Sequence, residues 1–68
     1  MELAQATGVI HGRFGCGVDE AEQLLMETAQ GARMDLAALV ERLLEPRTRK
    51  AALAAVAVVV RSRTAATD

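Results

Sequence analysis

The tripeptide Gly15-Cys16-Gly17, then Gly31, then Pro46, cut this 68-residue chain into short stretches. In the first three, apolar residues recur at three- and four-residue steps, the spacing of one helix face. Leu3, Ala6, Ile10 and Phe14 form such a stripe and predict a helix from Glu2 to Arg13. The glycines after it stop the helix, because glycine enters left-handed conformations without a Cβ clash. Ala21, Leu24, Leu25, Thr28 and Ala29 form the inner face of a second helix, which Gly31 closes. Asp19 is placed to cap its start, with Glu22 three residues on as the returning half of a capping box. Asp35 is placed to cap a third helix that buries Leu36, Leu39, Val40 and Leu43. Pro46 ends that helix, since the residue before a proline is disfavoured in the α conformation. The pattern predicts an all-α fold, a small three-helix bundle over residues 1–45.

Residues 46–68 form a basic and apolar extension whose centre, Ala51 to Val60, is an unbroken apolar run. A fourth helix from Thr48 to Arg61 is the expectation, although periodicity alone does not separate helix from strand in such a run. Residues 65–68 are expected to fray. A segment apolar on every side needs a cover, from the bundle or from a second copy.

Composition narrows the function. A chain of this length buries only about 60% of its unfolded surface, so oligomerisation or docking is the expected supplement. The one cysteine, Cys16, forms no internal disulfide, and with His11 it makes no zinc-type ligand set. A reducing, cytoplasmic setting is expected from that cysteine usage and from the lack of a basic start before an apolar run. The apolar run is about half of what a membrane span needs, so no membrane partner is expected. His11 lacks a nearby carboxylate in sequence, and Asp19 and Glu20 oppose a thiolate at Cys16. We therefore expect no catalytic residues, no metal, no cofactor and no small-molecule substrate. Charge is divided: residues 1–45 hold eight acids against three arginines (net −5), whereas residues 46–68 hold five cations against Asp68 (net +4). Only the extension offers a patch that attracts nucleic acid.

One order of residues is more specific. Gln5, Ala6, Gly8, Val9, Ile10, Arg13 and Gly15 are succeeded, without gaps, by Asp19, Glu20, Ala21, Leu24, Leu25 and Ala29, then by Leu36, Leu39 and Leu43. This order resembles the ANTAR domain, an RNA-binding module of bacterial transcription antiterminators, over more than half of the chain. The resemblance implies a three-helix bundle, often joined to a sensor domain, that acts as a dimer. It implies a grip on paired RNA stem-loops that blocks a terminator hairpin. Carried over by position, Ala6, Gly8 and Arg13 would face the RNA, with Thr7 where the family has lysine. Arg33 is the nearest other basic residue on the body. The chain departs from the family at Thr7, at Glu22 in place of an aromatic, at Met26 in place of arginine and at Asp35 in place of a basic residue. Since phosphate neutralisation supplies much of nucleic-acid affinity, a second expectation stands beside the first: a helical dimerisation or partner-docking module without RNA binding.

Overall fold

The three breaks separate four helices in a computed structural model, which describes residues 2–66. They are α1 (Leu3–Phe14), α2 (Val18–Gly31), α3 (Leu36–Leu44) and α4 (Pro46–Ala66). No strand occurs among the described residues. The all-α expectation holds, and the first three helices end within two residues of the predicted limits. The fourth exceeds Thr48–Arg61 at both ends and takes Val58 to Val60 into its interior. Of the residues expected to fray, Ala65 and Ala66 belong to α4, and Thr67 and Asp68 lie outside the described residues.

Each break works by its own mechanism. At the end of α1, Gly15 is left-handed (φ 69°) and its N–H bonds to the His11 carbonyl at 2.9 Å. The His11 ring reaches over the same turn, with Nδ1 donating to the Cys16 carbonyl. Chain reversal is complete by Gly17, whose extended backbone (φ −70°, ψ 164°) caps α2 and whose carbonyl accepts from Ala21 N–H. The predicted Asp19 cap is therefore corrected. The helix starts earlier, Asp19 and Glu20 lie in its first turn, and no side chain caps it. The two carboxylates serve the helix dipole instead.

At the other end of α2, Gly31 is still helical, and the left-handed residue is Arg33 (φ 54°). Arg33 N–H bonds to Gln30 O at 3.1 Å and Met34 N–H to Ala29 O at 3.0 Å, the paired closure of a Schellman motif. Asp35 occupies the N-cap of α3 as expected, extended in backbone, yet its side chain makes no capping bond. Pro46 acts twice. Glu45 before it is held extended (ψ 120°), ending α3, and the proline itself is the first residue of α4, where its missing N–H costs nothing.

The core draws on all four helices: Ala6 and Ile10, then Ala21, Leu24, Leu25 and Ala29, then Leu39, Val40 and Leu43, then Ala52 and Val56. It therefore runs across the division expected at residue 45, and α4 packs onto both α2 and α3. A radius of gyration of 11.0 Å matches the ~11 Å of a compact chain this long, so α4 lies along the bundle and does not project from it. Among the described residues, two polar side chains enter the core, Thr7 and Thr28. Each hydroxyl donates to the carbonyl four residues back, Leu3 at 2.8 Å and Leu24 at 2.7 Å, so neither is buried without a partner. Only one side of α4 is covered. Val59 and Val60 are half-buried, and Val58 keeps 58% of its surface in solvent. Among the described residues, no helix is long and apolar enough to cross a membrane.

Candidate nucleic-acid interface

The residues that the ANTAR resemblance would put against RNA separate once α1 is folded. Ala6 is fully buried and Thr7 is 4% exposed, with its hydroxyl spent on Leu3. Neither side chain offers appreciable surface in this chain, because α1 turns the 6/7/10 face inward, where it completes the core. Gly8, Arg13 and Arg33 are exposed. Gly8 and the edge of Thr7 border an open, mainly apolar groove of about 430 Å³ between α1 and α2, lined also by Leu3, Ala4, His11, Val18 and Glu22. A Cβ built at Gly8 or Gly12 meets nothing within 4 Å, so no neighbour inside this chain requires either glycine. Arg13 lines a different groove, and Arg33 sits in the α2–α3 turn and lines neither.

That second groove was hidden in the sequence. Arg13 and Phe14 at the end of α1 meet Pro46, Arg49, Lys50 and Leu53 of α4 around a cavity of about 420 Å³. The small side chains of Ala54 and Ala57 keep one wall low. None of the described residues lining it is acidic. Three cations and the chain's one phenylalanine thus converge, although residues 1–45 are net negative. The two sequence signals, a lone phenylalanine and a basic cluster after Pro46, lie too far apart along the chain for spacing to join them.

The cations of α4 divide into two sets. Arg49 is committed to the fold: Nε donates to Leu43 O at 2.8 Å and Nη2 to Leu44 O at 3.0 Å, satisfying carbonyls left open at the end of α3. Thr48 assists, its hydroxyl 2.7 Å from Arg42 O. Arg63 pairs with Glu27 on α2 at 2.7 Å and lies 3.9 Å from Glu20. Arg47, Lys50 and Arg61 remain exposed. No acid stands in the first turn of α4, so Arg47 and Arg49 crowd the positive end of the helix dipole. That placement is unfavourable by a few tenths of a kcal/mol or more for each charge.

His11 and Cys16 take structural places. The imidazole fastens the α1–α2 turn, and the half-buried Cys16 packs against the core. Comparison of the chain with protein-family models, with curated proteins and with solved structures returns no match.

Proposed function

We propose that this chain is an RNA-binding regulator of the ANTAR type, which acts as a dimer on stem-loops in nascent mRNA and opposes a terminator hairpin. The observation that carries the proposal is Arg13. It is the basic residue retained from the family's helix-1 signature, it is exposed, and it opens onto a cationic groove without acids. The spacing of the motif supports it too, since Ala21, Leu24, Leu25, Ala29, Leu39 and Leu43 all serve as core. Arg33 supplies a second exposed charge on the body.

A gel-shift titration with a twin-hairpin RNA tests this. Arg13→Ala and Arg33→Ala should each weaken binding severalfold and lower the slope of log affinity against log salt by about 0.7–0.9. Equal binding by wild type and both variants removes these residues from the interface.

A second function has an observation of its own. Val18 (56% exposed), Met26 (48%) and Val58 are large apolar side chains left in solvent, and the α1–α2 groove beside Val18 is mainly apolar. They fit a dimerisation or partner-docking module that has given up RNA. Light scattering that finds a dimer, together with no RNA affinity at low salt, selects this alternative.

A further inference from the structure

We propose that the groove between α1 and α4 receives one unpaired nucleotide of an RNA loop, with its base against Phe14 and its phosphate toward Arg13 and Lys50. This rests on the RNA-binding function above. It adds that α4, which lies outside the residues that resemble the ANTAR domain, supplies part of the contact.

The groove combines the two elements that hold single-stranded nucleic acid: cations for the backbone and an aromatic face for a base. Phe14 packs on the core with part of its surface and lines the groove with the remainder, so the ring is supported and still reachable. Arg49 is anchored to the Leu43 and Leu44 carbonyls. It keeps its charge beside the groove, while the exposed Arg13 and Lys50 retain their donors for a ligand. Neither of those two makes an ion pair among the described residues. A base inside a duplex offers no free face to a side chain, so the occupant must be unpaired.

Fluorescence anisotropy on the full chain tests this with a labelled pool of twin stem-loop RNAs whose loops are randomised. A matched duplex without loops is the control. Wild type should prefer the looped pool. Phe14→Leu should weaken that binding about tenfold, the usual scale for one lost stack, and Phe14→Tyr should restore it. Lys50→Ala should lower the salt slope by about 0.7, whereas Arg61→Ala, on the same helix but outside the groove, should change affinity less. Thermal melts by circular dichroism must show each variant folded. If Phe14→Leu is unfolded, the Lys50 and Arg61 comparison decides alone. Failure of wild type to bind either RNA overturns the RNA-binding function and this proposal together. Binding that is indifferent to Phe14 and Lys50 overturns this proposal alone.

Discussion

At Arg33 an arginine holds the left-handed backbone position that ends α2, where glycine is the usual choice. For a residue with a Cβ, that conformation costs roughly 1–2 kcal/mol. The same conformation at Gly15 ends α1 with no such cost. The two sites should therefore respond oppositely. Arg33→Gly should raise stability by about 0.5–1 kcal/mol, the relief of strain less the extra entropy of an unfolded glycine. Gly15→Ala should lower it by about 1 kcal/mol. Urea melts of the two variants measure both, and a stabilised Arg33→Gly that also binds RNA more weakly would show an arginine retained for contact at the expense of stability. Residue positions such as Asp19 and Asp35 were only partly legible. Their chemistry suits a cap, but whether a carboxylate bonds to the backbone depends on where the preceding turn finishes. At α2 the His11–Cys16 contact and Gly15 finish that turn by Gly17.

Helix faces were more legible. The stripes expected on α2 and α3 are the buried ones, because the 3.6-residue period puts Leu24, Leu25 and Thr28, or Leu39, Val40 and Leu43, on one side whatever their partners are. The α3–α4 junction was not legible in the same way. Pro46 signals a stop, but that Arg49 would fold back onto the end of α3 depends on the angle at which α4 leaves it. Its hydrogen bonds join two elements and should be felt as stability. We expect Arg49→Ala to cost about 1.5–3 kcal/mol, the range for hydrogen bonds made by a charged group. Arg47→Ala, exposed and two residues away, should be close to neutral. Denaturant titrations of both variants check this. Equal effects would mean that the α3 carbonyls are served as well by water.

For the whole molecule, α4 decides whether the first three helices can stand alone. Ala52 and Val56 cover the core from above α2 and α3, and the Arg63–Glu27 pair ties the far end of α4 to α2. The ion pair is exposed and is worth at most ~1 kcal/mol; the apolar cover matters more. A fragment of residues 1–45 should not melt cooperatively as a monomer, and circular dichroism with sedimentation will show either an unfolded chain or an associated one. A folded, monomeric 1–45 would restore the division that composition suggests. The sequence by itself determined the features set by local chemistry: the helical class, the three inner stripes, and the breaks at Gly15 and Pro46, whereas the turn after α2 falls at Arg33 and not at Gly31. Tertiary structure alone decided that Thr7 turns inward, that Arg49 and Arg63 serve the fold, and that Phe14 and Arg13 share a groove with Lys50. The physical reason is reach. Periodicity and turn chemistry act over a few residues, whereas the candidate site is assembled from the end of α1 and the start of α4, which only the packing of the helices brings together.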